Sequence, residues 1–538
     1  MGTAAAALVI TSLLCWAAAA PVHASHVLQS REAKEVAQEL CTGYHFQPPK
    51  HWINGTYFLS FDLSASACLF GLYHLFYQYN PKGAVWGNII WAHSVSTDLI
   101  HWVAHQPAIY PTRPIDVNGC WSGSATMLPD SVRHHNVAYP ANISDPFLRE
   151  WVKPEFNPVI SANHGINTSA FRDPTTAWYG PDGYNICCTW YMCKHWRLVV
   201  ARKDNMSGIA VLYRSRDFKK WVKTHHSLHV GLTGMWECPG LYPMAVAGGN
   251  RHHQMGVDTT ELHDRVMAKE VKYVLNVSLE LTRYDYYTVG TYDHDKDRYT
   301  PNPAFPENYY GLRYDYVLWG WANESDTVTN DRHKGWAGIQ AISRKIFLSR
   351  SGRQLTQWPV EEVKSLRSKH VNVSNKAVKG GEYFKVTGFK SVQSDAEKFN
   401  PAWRTDAQGL CNTFNSHDKG GVGPFGLWLL ASDDLEERTT VFFGVFKTND
   451  TNYVVLVCND PIRSSYESHL YRPTFAGFVN VDIAKTKKIS LRTLPRKAIG
   501  DDAHHFVFNN GESDIKIKVT NLHAWEMKTP MMNKQLEQ

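Results

Sequence analysis

The sequence predicts an all-β protein. At residues 72–102, alternating aromatic residues lead into the turn Asn80-Pro81-Lys82-Gly83, and a second apolar run follows at once. Proline presets one turn dihedral and glycine permits another, so this stretch predicts a β-hairpin. Similar short aromatic and β-branched runs, separated by Gly, Pro, Asn and Asp, continue to about residue 350 with few helical periodicities. An array of hairpins is typical of a sandwich, a barrel or a propeller, and the spacing does not choose among them.

The beginning of the chain predicts export. Residues 1–24 contain an apolar run followed by small residues that end at Ala24, the pattern of a cleaved signal peptide, and we expect residues 25–43 to be a leader. No later run is long and apolar enough to span a bilayer, so we expect a secreted protein with no membrane span. The candidate glycosylation sites of such a product are Asn142, Asn167, Asn276, Asn323, Asn372 and Asn449, with further sequons at Asn54 and Asn205.

Composition narrows the possible partners. The net charge is +6 with histidine neutral, and no dense Lys/Arg tract occurs, which argues against nucleic-acid binding. The 26 histidines would add positive charge in an acidic compartment, which is compatible with loose adhesion to an anionic wall matrix. Aromatic residues make up 13% of the chain, which suits either a sugar-binding protein or aromatic-rich β-sheet cores.

An internal similarity and a change of composition divide the chain. The segments SVSTDLIHWV (94–103) and YRSRDFKKWV (213–222) share a strand-turn-strand pattern that ends in tryptophan. Near residues 351–374 the composition becomes polar, and Trp358-Pro359-Val360 predicts the start of a short linking helix. Strand-like runs then return between residues 375 and 525.

Seven motifs carry a resemblance to a known family. FQPPKHWIN, YHLFYQYNPKGAVWGN, WSGSAT, FRDPT, MWECP, YDYYTVGTYD and LWGWANES resemble, in order, the motifs of glycoside hydrolase family 32, in particular its plant cell-wall invertases. The resemblance runs from about Gly43 to about Lys534 and implies a secreted protein of the apoplast or cell wall. It also implies an architecture: a five-bladed β-propeller at residues 44–350, a linker at 351–374, a C-terminal β-sandwich at 375–525 and a tail at 526–538.

The same resemblance implies a disulfide between Cys411 and Cys458. Cys187, Cys188 and Cys193 lie close together without a histidine pattern, and we predict no zinc site there.

Hydrolysis of a fructoside with retention requires a carboxylate nucleophile and a carboxylic acid that protonates the leaving oxygen. By resemblance, Glu237 in the MWECP motif is the acid/base. Asp173 in the FRDPT motif is the transition-state stabiliser, and Arg172 beside it is expected to hold that carboxylate ionised. One residue departs from the family pattern: an aspartate normally follows the proline of MWECP, and here it is Gly240, which we expect to loosen the hydrogen bonding around Glu237.

The resemblance also implies a substrate pocket. The residues expected to line the fructose site are Asn54, Gln78, Trp86, Trp121 and Ser122, together with Arg172. Asp293 and Lys296 are expected to hold the glucose or another leaving group. We expect a sugar ligand such as sucrose or a fructan, and no cofactor or metal.

The nucleophile motif is interrupted. The family reads W-x-N-D-P-N-G at the first strand, where the aspartate is the nucleophile, whereas this chain reads Trp52-Ile53-Asn54-Gly55. Asn54 cannot replace it, because a neutral amide does not attack as a carboxylate does. Asp62 is the only carboxylate in the following run, and a shifted strand register would misplace it.

Three functions remain open from the sequence. The leading prediction is a cell-wall β-fructofuranosidase that hydrolyses sucrose but is impaired in the covalent step. The alternatives are a fructan exohydrolase and a catalytically inactive relative that binds sucrose or fructan.

Overall fold

The structure is a computed structural model. It describes residues 7–12, 42–48, 50–58, 71–128, 138–162, 166–181, 194–245, 271–281, 285–303, 317–318, 320–322, 327–348, 352, 355–387, 394–396, 411, 421–447, 453–467, 469–479, 493, 505–510, 517–519 and 522–527. Outside these residues lie Asp62, Asn323, Asn449, Cys187, Cys188 and Cys193, so the predictions about them stay predictions.

The described residues are mostly β-strand, as the sequence predicts. Up to residue 359 the strands are β1 Ala7–Ser12, β2 His51–Phe58, β3 Tyr73–Asn80, β4 Ile90–Ser96, β5 Val103–Ile109, β6 Gly123–Leu128, β7 Tyr139–Pro140, β8 Trp151–Val152, β9 Phe171–Arg172, β10 Trp178–Pro181, β11 Lys194–Asp204, β12 Ser207–Ser215, β13 Val222–Lys223, β14 His229–Gly231, β15 Trp236–Ala245, β16 Val271–Leu279, β17 Asp285–Asp293, β18 Arg298–Pro301, β19 Val317–Leu318, β20 Trp321–Ala322, β21 Trp336–Ala337, β22 Ile339–Gln340, β23 Arg344–Leu348 and β24 Leu355–Pro359.

The remaining strands and the helices complete the inventory of the described chain. The strands are β25 Arg367–Val373, β26 Lys376–Val378, β27 Tyr383–Lys385, β28 Ser394–Ala396, β29 Gly421–Ala431, β30 Thr439–Lys447, β31 Tyr453–Asp460, β32 Phe475–Val479, β33 His505–Asn510, β34 Ile517–Val519 and β35 Leu522–Met527. Val328–Lys334 is an α-helix, and Pro114–Asp116, Thr168–Ala170 and Glu361–Leu366 are 3-10 helices.

Consecutive strands of the N-terminal region pair into separate sheets. β2 to β5 form one sheet with β21, β9 to β14 form a second, β15 to β18 a third, and β19, β23 and β24 a fourth. The predicted hairpin is confirmed as β3 and β4, although β4 begins at Ile90 rather than at Val85. Nearly all of β3 and β4 is buried, which is why their aromatic residues do not show a clean alternation of inside and outside.

An early strand of this region pairs with a strand near the end of the region. β2 pairs in parallel with β21, with His51 opposite Trp336 and Trp52 opposite Ala337. Neighbouring sheets also share cores: Val199 of β11 packs in one cluster with Leu275 of β16. The N-terminal region is therefore an array of sheets in which β2, an early strand, pairs with β21, a strand near the end of the region.

The similarity between segments 94–103 and 213–222 is confirmed in atomic detail. In the first, the Asp98 carboxylate accepts the N–H groups of Ile100 and His101, and the Trp102 indole donates to the Leu99 carbonyl at 3.1 Å. In the second, Asp217 accepts from the Lys219 and Lys220 N–H groups, and the Trp221 indole donates to the Phe218 carbonyl at 3.1 Å. The similar residues of the two segments thus form the same type of turn, in which the aspartate carboxylate accepts backbone N–H groups and the tryptophan indole donates to a backbone carbonyl.

The predicted linker contains strands of both regions. β24 pairs with β23 of the N-terminal region, whereas β25 pairs with β35 at the end of the chain. The 3-10 helix Glu361–Leu366 lies between them, close to the predicted linking helix. Beyond it, β25, β35 and β28 form one sheet, and β27 together with β29 to β33 forms a six-stranded one. Val371 of the first sheet packs with Leu427 of the second.

At the opposite end, β1 pairs antiparallel with β6. Part of the predicted signal peptide thus forms a strand in the full-length chain, and its removal stays a prediction.

A buried ionic cluster links the second and third sheets. Asp297 is fully buried, accepts from the Arg197 Nε at 2.7 Å and the Tyr292 hydroxyl at 2.5 Å, and also pairs with Arg214. Arg197 is itself buried and donates to the Gly180 carbonyl at 2.8 Å. Because the hydrogen bonds satisfy both charges, the cluster can exist in the interior and holds the two sheets in one register.

Candidate active site

Two of the predicted catalytic residues are joined through one backbone amide. The N–H of Cys238, the residue after Glu237, donates to Oδ2 of Asp173 at 3.1 Å. Asp173 is buried, and its φ of 61° lies in the left-handed region, which aspartate tolerates better than most residues. Burial raises the pKa of Asp173, the charge of Glu237 adds to the rise, and Arg172 opposes it. The structure therefore brings Asp173 and Glu237 together from different sheets.

A β-bulge presents Glu237. β15 and β16 pair with Glu237 opposite Ser278 and Gly240 opposite Asn276, so Cys238 and Pro239 share the place of one residue. Cys238 has a φ of 43°, and this kink turns its N–H away from β16 and toward Asp173. Proline has no N–H to lose from the ladder, which makes it suitable inside the bulge.

Arg172 donates hydrogen bonds to two carboxylates, those of Glu237 and Glu280. Its Nε and Nη2 donate to Oε1 of Glu237 at 3.2 and 2.8 Å, and Nη2 also donates to Glu280 at 2.9 Å. The distance from its Nε to Oδ2 of Asp173 is 4.0 Å. The prediction that Arg172 helps to hold Asp173 ionised agrees with this contact, because the charge of Arg172 lowers the pKa of Asp173. Its hydrogen bonds to carboxylates, however, go to Glu237 and Glu280.

Glu280 is a residue that the sequence reasoning missed. It follows β16, and its backbone N–H donates to the Met235 carbonyl at 3.2 Å, which places it beside the start of β15. The signal that could have found it is an acidic residue just past the end of the strand that pairs with the Glu237 strand. Its carboxylate is about half exposed and faces the shared guanidinium.

Several of the predicted pocket residues form a second connected group. Asn54 of β2 lies opposite Gln78 of β3, and the buried Gln78 donates to the Ser122 hydroxyl at 2.6 Å. The Asn54 side chain accepts from the N–H of Gly55, where the pairing of β2 with β3 is irregular between Asn54 and Thr56. The chain segments that carry the two groups are hydrogen-bonded to each other: the N–H of Ala177, four residues after Asp173, donates to Thr126, four residues after Ser122.

Two tryptophans extend this second group. Trp86 and Trp121 meet edge to face, with ring centroids 5.0 Å apart. The Trp121 carbonyl accepts from the buried Trp91 indole at 2.8 Å, which fixes its backbone, whereas Trp86 is 53% exposed. An exposed indole held by a second ring offers an apolar face of the kind that sugar rings stack on.

Asp293 and Lys296 are not brought to this cluster. They pair with each other at 2.8 Å in a turn after β17, and this contact lowers the pKa of Asp293. The register aligns Glu237 with Ser278 and then with Asp285, at the start of β17. Asp293 ends the same strand, roughly 25 Å further along it. The prediction that they hold a leaving group thus receives no support from the geometry.

Comparison with known proteins decides the family. The profile of the Glycosyl hydrolases family 32 N-terminal domain matches residues 45–359. The chain belongs to glycoside hydrolase family 32. It is 61% identical to "Beta-fructofuranosidase, insoluble isoenzyme 3" of Oryza sativa subsp. indica, over 98% of this chain and 99% of the relative. It is 47% identical to "Beta-fructofuranosidase, cell wall isozyme" of Zea mays, over 95% of each chain.

A solved structure supports the fold. Fructan 1-exohydrolase IIa from Cichorium intybus superposes with a TM-score of 0.76 and 34% identity, over 92% of this chain and 99% of that one. The chain is thus a family 32 glycoside hydrolase of the β-fructofuranosidase type with the mostly-β fold of that family. Its relatives are insoluble or cell-wall isoenzymes, which confirms the predicted cell-wall location.

Other family 32 predictions can be compared with the coordinates. Cys411 and Cys458 form the expected disulfide. Among the candidate glycosylation sites, Asn142, Asn167 and Asn372 are exposed. Asn276 is 0% exposed, and a glycan on that side chain is incompatible with its place in the core, so this predicted site is corrected.

The residues that the structure describes can be compared with the needs of a lipid bilayer and of a metal ion. No helix there has the length and apolar character required to cross a membrane. No group of three or more His, Cys, Asp or Glu side chains in the same part of the chain has the arrangement of a metal site.

Proposed function

We propose that this chain is a cell-wall invertase whose site is built to hydrolyse the terminal β-fructofuranoside of sucrose. The observation that carries the proposal is the cluster of Glu237, Asp173 and Arg172, which joins two carboxylates from different sheets. Glu237 is the acid/base that protonates the leaving oxygen, and ionised Asp173 stabilises the oxocarbenium-like transition state. Arg172 fixes Oε1 of Glu237, which leaves Oε2 to carry the proton.

We further propose that Asn54, Gln78, Trp86, Trp121 and Ser122 bind the fructosyl unit. Gln78 and Ser122 supply amide and hydroxyl groups side by side, and Trp86 supplies a stacking face. The segment that contains Ser122 is hydrogen-bonded, through Thr126, to the segment that follows Asp173.

The covalent step is impaired in this proposal. Asn54 and Gly55 are consecutive in the chain, so the Asp-Pro-Asn triplet of the family motif is absent between them. The alignment with the rice relative spans 598 positions, more than the 538 residues of this chain, so the relative has segments that this chain lacks. Without a carboxylate nucleophile, the glycosyl-enzyme intermediate cannot form.

The test is to restore the missing triplet. The insertion variant carries Asp-Pro-Asn between Asn54 and Gly55, and its control carries Asn-Pro-Asn at the same place. We expect the insertion variant to hydrolyse sucrose at mildly acidic pH about a thousandfold faster than the natural chain or the control. Robust turnover by the natural chain would refute the impairment. An inactive insertion variant that still binds sucrose would favour the non-enzymatic alternative, and isothermal titration calorimetry with sucrose measures such binding.

A second candidate is fructan exohydrolase activity, favoured by the similarity to the Cichorium intybus enzyme. Comparing sucrose with inulin as substrates of the insertion variant separates the two. A preference for inulin would support the exohydrolase, and a preference for sucrose would support the invertase.

We also propose that the N-terminal region is a five-bladed propeller and that the C-terminal sheets form a β-sandwich. The separate sheets taken in chain order, the repeated turn and the pairing of β2 with β21 support the first proposal. The core shared by β25, β29 and β35 supports the second. The strand pairings support a boundary within Glu361–Leu366, inside the predicted linker.

A further inference from the structure

The bulge that carries Glu237 needs support from outside its own strand. Cys238 and Pro239 leave the ladder between β15 and β16, and Cys238 adopts a positive φ, which is costly for a residue other than glycine. Yet the Cys238 N–H must stay on Asp173 and the preceding Glu237 must stay on Arg172. A neighbouring side chain that holds the bulge therefore controls both catalytic carboxylates.

Asn276 occupies the position that can do this. It is fully buried on β16 directly opposite Gly240, and its Nδ2 donates to the Cys238 carbonyl in a long hydrogen bond of 3.4 Å. The N–H and the C=O of Cys238 are thus held from two sides, by Asp173 and by Asn276. Both contacts restrain the peptide units that flank the Cys238 Cα.

The absence of a side chain at Gly240 leaves room for the Asn276 carboxamide. A Cβ at position 240 would lie 2.4 Å from Oδ1, 3.1 Å from Cγ and 3.2 Å from Nδ2 of Asn276. The first distance is shorter than real Cβ contacts and the other two are tight, so a side chain at position 240 would push the carboxamide aside. The carboxamide thus fills the space that the missing side chain leaves, and the predicted loosening around Glu237 is opposed by it.

We propose that Asn276 is a positioning residue for catalysis, matched to Gly240, which holds the Cys238 peptide so that Asp173 and Glu237 keep their relative geometry. Asn276 touches neither the substrate nor the reacting atoms and acts through the bulge. It must therefore stay unmodified, although Asn276-Val277-Ser278 is a sequon. This inference deepens the proposed function and depends on it only for the kinetic measurement.

Cys238 itself provides a readout that does not require turnover. Its Sγ lies 3.6 Å from Oδ2 of Asp173, and its side chain is partly exposed. If the bulge loses its support, the thiol moves away from the Asp173 carboxylate and its rate of alkylation changes. Peptide-resolved mass spectrometry after iodoacetamide treatment measures this rate separately from all other cysteines.

The decisive variant is N276D, which keeps the shape of the side chain but replaces the donor to the Cys238 carbonyl by an acceptor. We expect N276D to change the Cys238 alkylation rate about tenfold and, in the insertion variant, to lower kcat for sucrose about tenfold or more with KM nearly unchanged. N459D is the matched control, since Asn459 lies on β31 in the C-terminal sheet, and it should alter neither quantity. N276D with wild-type alkylation and wild-type kcat would overturn the proposal.

The pairing with Gly240 is tested by a double-mutant cycle. We expect G240A and N276A each to change the alkylation rate, and G240A/N276A to change it no more than the worse single variant, because the alanine Cβ gains room once the carboxamide is gone. Additive effects would contradict the matched pair. If the insertion variant does not hydrolyse sucrose at all, the proposed function fails, while the alkylation rates still decide whether Asn276 positions the bulge.

Discussion

Arg172 and Glu237 are joined by two hydrogen bonds, in which Nε and Nη2 of the guanidinium both donate to Oε1, at 3.2 and 2.8 Å. The same guanidinium opposes the rise in the pKa of Asp173 through its charge, from a distance of 4.0 Å. Arg172 thus orients one carboxylate by its shape and influences another by its charge. The two contributions can be separated by substitution.

We expect R172Q in the insertion variant to move the acidic limb of the kcat/KM profile toward higher pH. Burial already raises the pKa of Asp173, and without the nearby positive charge the carboxyl stays protonated, and inactive, up to a higher pH. R172K keeps the charge, so its limb should stay near the original position while kcat falls about tenfold or more, because lysine cannot make the forked contact. Identical limbs in R172Q and R172K would contradict the role of the charge. Sucrose hydrolysis across the pH range measures both.

A buried histidine group predicts acid sensitivity of the fold. His74 Nδ1 lies 3.0 Å from His93 Nε2, and the His105 ring lies tilted against His93 with the ring centroids 5.7 Å apart. Asp145 and Arg149 are the charged neighbours. Burial lowers the pKa of His74 to about 4. The unfolded chain takes up a proton near pH 6.5 while folded His74 does not, so stability falls as the pH drops from 6.5 toward 4, by roughly 3 kcal/mol for this residue.

The substitution H74N removes this proton uptake. We expect the thermal midpoint of H74N to depend less on pH between 6.5 and 4.5 than that of the natural chain, as measured by calorimetry. H101N is the matched control, because His101 is part of an exposed turn, paired with Asp98. Equal pH slopes for H74N and the natural chain would show that His74 is not the acid-sensitive group.

The ionic cluster around Asp297 predicts a large loss of stability. D297N leaves the Arg197 guanidinium buried without its charged partner, and we expect the urea midpoint to fall by an amount that corresponds to about 3 kcal/mol. The control is E155Q, since Glu155 is 93% exposed where it pairs with Arg113, and its midpoint should not move. Equal midpoints for D297N and E155Q would contradict the account of the buried cluster.

Glycan mapping tests the burial of Asn276. In protein secreted from a eukaryotic host, we expect enzymatic deglycosylation in water enriched in the heavy oxygen isotope to label Asn142, Asn167 and Asn372 and to leave Asn276 unlabelled, because the first three are exposed and Asn276 is buried. Peptide mass spectrometry reads the label at each site. Labelled Asn276 in folded protein would show that the core around Gly240 differs from the one described.

Features that depend on consecutive residues were predictable from the sequence, whereas contacts between residues of different sheets were not. The turn at Asp98 recurs at Asp217 because each depends on a few consecutive residues. The meeting of Glu280 with Arg172 depends instead on how two sheets lie against each other, which no local pattern encodes. Asp293 was misplaced for the same reason: motif order indicated a site, while the strand register carries the residue to the other end of its sheet.

Gly240 illustrates the limit most clearly. In the sequence alone, Gly240 is a departure from the family motif, and its expected effect was a looser hydrogen bonding around Glu237. In the fold it lies opposite Asn276, and the pair makes sense only when both residues are seen together.

The pairing of β2 with β21 has a consequence for synthesis of the chain. β2 pairs through His51 and Trp52 with β21, which contains Trp336 and Ala337 and is translated much later. During synthesis, one edge of β2 therefore stays unpaired for roughly 15–60 s. An open, aromatic-rich edge attracts other nascent chains. The protein is therefore expected to rely on chaperones during translocation, and truncation before residue 336 should yield aggregates rather than a smaller folded product.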